Sequence, residues 1–341
     1  MTDRSAAASF HLREFRREDL PAFVEIRNHC FPDMPQTLES AEHFERAYPP
    51  DNPRRRYAVD AAGTVVGVGV CDVPLWLDAA GVYRFYAMVD PAWRERGIGR
   101  ALLARLEQYA GALGAARLIS DCREDMSGAI RFLERSGFQQ FGLRFESVAD
   151  LTAFDESRFA GAIDRVAEAG YELTTLAAER PINPNADRDL YDLDELASQD
   201  IPWPGGLKAS MTYDNFRRVT LDHPEADPAA IFIAKRDGVY AGYTAVSIRF
   251  SGIGYTAVSF RAPHLGHTSM TGVRREHRGH GLALALKLLS FRLMKEHGCT
   301  ETMTHNDSAN QAILALNRQL GYQPRPGILL WSKPVTPQIR G

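Results

Sequence analysis

Two short stretches of the chain carry residues whose types and spacing suit the gripping of a phosphate. Arg94, Gly97 and Gly99 recur as Arg278, Gly281 and Ala283; each set follows a valine (Val89, Val273) and leads into a run with apolar residues at helical spacing. A loop that runs into a helix aims several main-chain N–H groups at one point, where the helix dipole also favours negative charge. Gly97 and Gly281 let that backbone approach a bulky anion without a Cβ in the way, while Gly99 and Ala283 keep the first turn narrow. A pyrophosphate fits such a mouth. Two other glycine-loop chemistries fail on spacing: neither stretch has the GK[ST] of a Walker A loop, and Leu102 and Leu286 stand where a Rossmann loop needs its third glycine.

The two stretches belong to an internal repeat. Residues 89–138 overlay residues 273–322 without a gap, at a constant offset of 184 (278 − 94) that also matches Gly114 with Gly298 and Gly137 with Gly321. The copies share a layout. Each opens on an extended segment (10–15, 171–176), followed by polar helices and then a hairpin, 56–59 with 64–71 around Ala61-Ala62-Gly63, or 231–235 with 239–248 around Asp237-Gly238. A strand ends at Val89 or Val273, and the glycine loop leads into a helix with Ile98, Leu102, Leu103 and Leu106, or Leu282, Leu286, Leu289 and Leu293, on its apolar side. A further strand and a second helix (127–135, 308–319) follow, closed by Gly137 or Gly321 at the C-cap. The expected organisation is an N-terminal domain over 1–153, a connecting helix over 154–170 marked by Phe159, Ile163 and Val166, and a C-terminal domain over 171–341. The class is α/β with a mixed sheet.

The pattern V-x-x-x-x-[QR]-x-x-G-x-[GA] that both loops satisfy resembles the signature of the GNAT superfamily of N-acetyltransferases. The resemblance covers nearly the whole chain as two tandem GNAT-type domains, each a mixed, mostly antiparallel sheet flanked by helices. It implies that Arg94, Glu95, Arg96, Gly97, Ile98 and Gly99, and Arg278, Gly279, His280, Gly281, Leu282 and Ala283, bind the pyrophosphate of acetyl-CoA. It also implies that the strand ends Ala87-Met88-Val89 and Thr271-Gly272-Val273 pair with the pantetheine arm. Asn306 and Asn310 begin the second helix, where Asn is a common cap; the resemblance makes Asn310 a cofactor contact as well.

Acetyl transfer to a primary amine needs the nitrogen unprotonated, and such an amine, with a pKa near 10, is almost all ammonium at neutral pH. A base must therefore be in reach. In the family it is often a carboxylate on the strand before the loop, where period 2 sets residues 267, 269, 271 and 273 on one face. His267 is the titratable residue of that set, and it is expected to point the same way as Thr271 and Val273 and to act as base. Its counterpart in the first copy is Tyr83, on a strand without carboxylate or histidine. The second half is therefore favoured as catalytic, an arrangement similar to the tandem branch of the superfamily typified by mycothiol synthase. The tyrosine that commonly protonates the leaving thiolate in the family is missing from both halves, where Leu133 and Asn317 stand.

Other candidates take plainer readings. His264, Glu276, His277 and His280 read as solvated loop residues, and no metal is expected. Tyr83 and Tyr86 read as sheet packing and Trp203 as a core cover. Cys30, Cys71, Cys122 and Cys299 lack CxxC spacing and read as packed, reduced thiols. Apolar residues at 45% and charged residues at 24% mark a globular chain, and a net charge of -3 supplies no drive toward nucleic acid or anionic lipid. No signal peptide or long apolar run is seen, so a cytoplasmic protein, monomeric or homodimeric, is expected. The reading is a direct, ternary-complex N-acyltransferase that uses acetyl-CoA and a small-molecule amine acceptor. Antibiotic, polyamine, amino acid, thiol metabolite and protein lysine are all compatible acceptors, and the alternatives are a protein-lysine acetyltransferase or a non-catalytic acyl-CoA-binding scaffold.

Overall fold

The computed structural model describes residues 9–32, 35–223, 226–248 and 264–335. The first copy runs β1 (His11–Glu14), α1 (Leu20–Cys30), α2 (Leu38–Ala47), β2 (Arg55–Ala61), β3 (Thr64–Asp72), β4 (Val82–Val89), α3 (Ile98–Ala112), β5 (Arg117–Arg123), α4 (Ser127–Arg135) and β6 (Gln139–Asp150). After α5 (Ala162–Glu168) the second copy runs β7 (Glu172–Thr175), α6 (Leu176–Glu179), α7 (Ala186–Ser198), α8 (Tyr213–Phe216), β8 (Ile231–Arg236), β9 (Val239–Ser247), β10 (Leu265–Val273), α9 (Leu282–Glu296), β11 (Glu301–Asp307), α10 (Gln311–Gln319) and β12 (Gln323–Pro334). From α3 to β6 every boundary recurs 184 residues later in α9 to β12, so the sequence offset is also a structural one.

Both hairpins form where turn chemistry placed them. Ala62 and Gly63 have φ of 53° and 85°, and Asp237 and Gly238 have 53° and 78°. Two left-handed residues in succession give the turn whose twist suits a two-residue hairpin. Strand ends differ from the sequence reading by one or two residues, and two helical segments differ by more. The second helix of the C-terminal copy starts at Gln311 rather than 308, because Asn310 caps it by accepting the Ile313 N–H at 3.4 Å. The connector is not one helix: a turn of 3-10 helix at Glu156–Phe159 is separated from α5 by Gly161, whose φ of 72° interrupts helical geometry.

The strands form one twelve-stranded sheet in the order β1-β2-β3-β4-β5-β12-β6-β11-β10-β9-β8-β7. The pairings β4–β5 and β10–β11 are parallel and the others antiparallel. The order shows that the copies exchange their last strands: β12 pairs with β5 of the first copy, and β6 pairs with β11 of the second. Trp331, on β12, is accordingly buried in the N-terminal core beside Phe85, Leu102, Leu106 and Leu118. Where the halves meet, Trp203 stacks on Trp76 with centroids 4.9 Å apart, and the Arg144 guanidinium lies 4.9 Å from the Trp203 ring. Trp203 thus covers core, at the seam.

Candidate active site

The two parallel pairings define two clefts. In the C-terminal half β10 and β11 are paired from Leu265–Glu301 to Thr268–Thr304 and then diverge; in the N-terminal half β4 and β5 are paired only from Val82–Arg117 to Arg84–Ile119. Beyond the fork, one edge of Met270–Val273 faces a cavity of about 540 Å³ instead of a neighbouring strand. Thr271, Gly272, Val273, Arg278, Gly279, Gly281, Leu282, Ala283 and Asn310 all line it, so nine of the residues expected from sequence to hold the carrier converge there. Gly279 and Gly281 have φ of 80° and 77°, with no atom closer than 3.9 Å to the place of a Cβ. Backbone conformation and open space, not packing, account for both glycines. Gly281 N-caps α9, so the first-turn amides of a fifteen-residue helix open on this cavity.

Arg278 donates from Nε to the Val273 carbonyl at 3.2 Å and its guanidinium pairs with Asp200, which Arg275 also holds. Those hydrogen bonds, that of Arg275 foremost, keep the Asp200 carboxyl below its usual range. His280 is turned away from the cavity: its Nδ1 lies 3.0 Å from the Arg278 carbonyl and its ring packs on Tyr171, which also bonds His277 at 3.0 Å.

The N-terminal loop is built differently. Arg94 repeats the Nε bond to Val89 at 3.2 Å, yet the place of Gly279 is taken by Glu95, a non-glycine residue at φ 63° that brings a carboxylate to the loop. Gly99 is covered by the Phe132 ring, 3.3 Å from where a Cβ would stand. Arg96 stacks on Trp93 at 4.6 Å, and Ile98 is buried in the core. A second cavity of about 180 Å³ lies over this half; Ala87 and Met88 line it together with Glu146 and His305, while Val89 and the loop from Arg94 to Gly99 are not part of its wall. The structure brings nine of the expected carrier residues together at one cavity in the second half.

His267 departs from expectation. Between Thr268 and Met270 the register of β10 against β9 slips by one residue at Ser269: His267 opposes Ser247, and Met270 opposes Ala245. A bulge of one residue inverts the alternation beyond it. His267 therefore shares its face with Met270 and Gly272, not with Thr271 and Val273. It is only 6% exposed and is not part of the cavity wall. Burial first, then the nearby charges of His305, Arg144 and Lys287, push it down to about 3. A group held neutral so strongly is a poor acceptor for an amine's proton.

Three side chains that the sequence reading passed over stand at the cavity instead. His305, on β11, lines it, with Nε2 3.4 Å from Oε2 of Glu146 on β6. Arg144, on β6, and Lys287, on α9, also line it. His305 is the repeat counterpart of Asp121, which accepts the Tyr86 hydroxyl at 2.6 Å in the first half. That correspondence was a usable signal for His305. The pairing with Glu146 had none, because it depends on the strand exchange. Asn317, where the family's tyrosine was missed, is buried and donates to Asn306 at 2.7 Å.

The acetyltransferase (GNAT) family model matches residues 20–138 and 190–322, so the chain belongs to that family, and it carries the family's unit twice. It is similar to the mycothiol acetyltransferase of Thermobispora bispora, with 26% identity over 238 residues that make up 69% of this chain and 70% of that one. Among solved structures, a tandem GNAT protein from the clavulanic acid biosynthesis pathway shares the fold with a TM-score of 0.72 at 22% identity, over 97% of this chain and all of that one. A GCN5-related N-acetyltransferase from Sphaerobacter thermophilus does so with a TM-score of 0.64 at 20% identity, over 97% of each chain. The protein is an acyl-CoA-dependent N-acetyltransferase. Among the described residues no helix is long and apolar enough to cross a membrane.

Proposed function

We propose that the C-terminal half transfers acetyl from acetyl-CoA to the primary amine of a small molecule, by direct attack within a ternary complex, and that the N-terminal half does not bind the carrier. The observation that carries this reading is an asymmetry of the mouths: Gly279, Gly281, Ala283 and the start of α9 open on a cavity of about 540 Å³, whereas in the first half Glu95 stands in the place of Gly279 and the Phe132 ring lies over Gly99, the counterpart of Ala283. A diphosphate suits α9 because main-chain donors and the helix dipole act on it together. The edge of β10 beyond Thr268 offers main-chain groups to an extended arm, as a strand would. The bound thioester supplies the activated acetyl group.

His305 is the base of this scheme. Its Nε2 turns to Glu146, whose carboxylate fixes the orientation of the imidazole that takes the proton from the amine. Glu146 is then a positioning residue. The half-buried surroundings of the pair, at 12% and 11% exposure, limit competition from water. Free-thiol release from acetyl-CoA, measured across a panel of small amines, tests the reading. Turnover with at least one amine, dependent on His305, is expected; carrier binding without turnover across the panel would return the protein to the scaffold alternative.

A further inference from the structure

Lys287 is the residue this scheme leaves unused. It lies in the second turn of α9, where the first copy has the core residue Leu103, and it is 1% exposed. A lysine at an apolar core position is costly unless a function retains it. It lines the cavity that Arg278, Gly281 and Thr271 also line. Its Nζ is 5.2 Å from the Tyr322 ring, and the Tyr322 hydroxyl lies 3.4 Å from both Thr268 Oγ1 and Thr302 Oγ1. Thr268 is the last residue of β10 paired with β11 before the fork. The ammonium is therefore one side chain away from the apex of the cleft, the end opposite the α9 mouth, where the acyl end of an extended carrier arrives.

From this placement we infer that Lys287 is the proton donor to the departing thiolate, in place of the tyrosine that neither half possesses. The inference rests on the transferase reading above. In the step, the acceptor nitrogen attacks the carbonyl carbon; the C–N bond forms, the C–S bond breaks and its electron pair goes to sulfur. Lys287 Nζ gives its proton to that sulfur, His305 takes the proton lost by nitrogen, and solvent returns each to its starting state. The products are amide and free thiol.

The surroundings suit a lysine that gives up its proton readily. Burial, with no compensating carboxylate among the described residues, pushes Lys287 down to about 7. The other titratable groups around it are Tyr322 beneath, His267 on β10, and Arg144, His305 and Asp307 across the cavity. On α9 itself Arg292 is paired away with Glu156. Donation is available while Lys287 is an ammonium, so this limb of the rate declines as pH rises through about 7.

The test uses the full chain, Lys287→Met and Lys287→Arg, with coenzyme A as probe and thiolate absorbance as readout. Below pH 7, where the Lys287 side chain is an ammonium, the bound thiol is expected to be ionised at least about tenfold more in the wild type than in Lys287→Met, because an ammonium beside it stabilises the thiolate. Lys287→Arg keeps that acidified thiol but recovers little turnover, since a guanidinium holds its proton; Lys287→Met loses about a hundredfold in kcat together with the pH limb near 7. Thiols ionised to the same extent below pH 7 in the wild type and Lys287→Met, or full turnover by Lys287→Arg, would overturn the assignment and leave the transferase reading standing. Absence of coenzyme A binding in the wild type would overturn both.

Discussion

Glu146 is the register partner of His305 across the β6–β11 ladder, although the two residues belong to different copies of the repeat. Their side chains meet at 3.4 Å only because the first copy lends its last strand to the second. The N-terminal half is therefore more than a support: through β6 it places Glu146 beside His305 and Arg144 in the wall of its neighbour's cavity.

Replacing His305 by Gln is expected to lower kcat by roughly 10²–10⁴-fold, the usual worth of a positioned base, with little change in coenzyme A affinity. Glu146→Gln keeps the shape but not the charge, and a smaller loss, about tenfold, is expected together with a shifted pH profile. His267→Ala should stay within a few-fold of the wild type. Steady-state kinetics with one competent amine separate the three, and a His267→Ala loss as deep as that of His305→Gln would exchange their roles.

The loops, the repeat and most helix boundaries were legible in the sequence because each rests on local chemistry: glycines at positive φ, apolar positions at helical spacing, Asn310 as a cap. What escaped was non-local. The bulge at Ser269 leaves no mark in an otherwise alternating strand, yet it turns His267 to the other face. The strand exchange is equally silent, since β6 and β12 have the same lengths and places in their copies whichever half they join. Glu95 and Phe132 were visible as residues, but their effect on the first mouth appears only once the backbone is placed.

Exchange of the last strands also fixes where stability resides. Trp331 is 4% exposed within the N-terminal core. Its replacement by Ala should cost about 3–5 kcal/mol and should weaken the first half of the chain, as read by hydrogen exchange of β4 and β5 amides. Loss of protection confined to β10 and β11 would contradict the exchanged topology.

Lys287 gives a linkage prediction independent of activity. Its folded value of about 7 lies below the usual lysine value of about 10.4. Between those limits the unfolded chain binds the extra proton, so the contribution of this residue to stability rises with pH across that window and is at its lowest below it. Lys287→Met is expected to be more stable than the wild type near neutrality by roughly 2–4 kcal/mol, an advantage that shrinks toward pH 10. Urea unfolding midpoints of the two proteins at several pH values check the sign; a less stable Lys287→Met at pH 7 would refute it.

The most direct measurement is a calorimetric titration of coenzyme A into the wild type, Gly97→Glu and Gly281→Glu. Both glycines stand at nearly the same positive φ, 85° and 77°, so backbone strain is matched and only the mouth differs. One equivalent per chain is expected in the wild type, retained by Gly97→Glu and abolished by Gly281→Glu. Two equivalents in the wild type, or loss of binding on Gly97→Glu alone, would contradict a carrier site in the C-terminal half only.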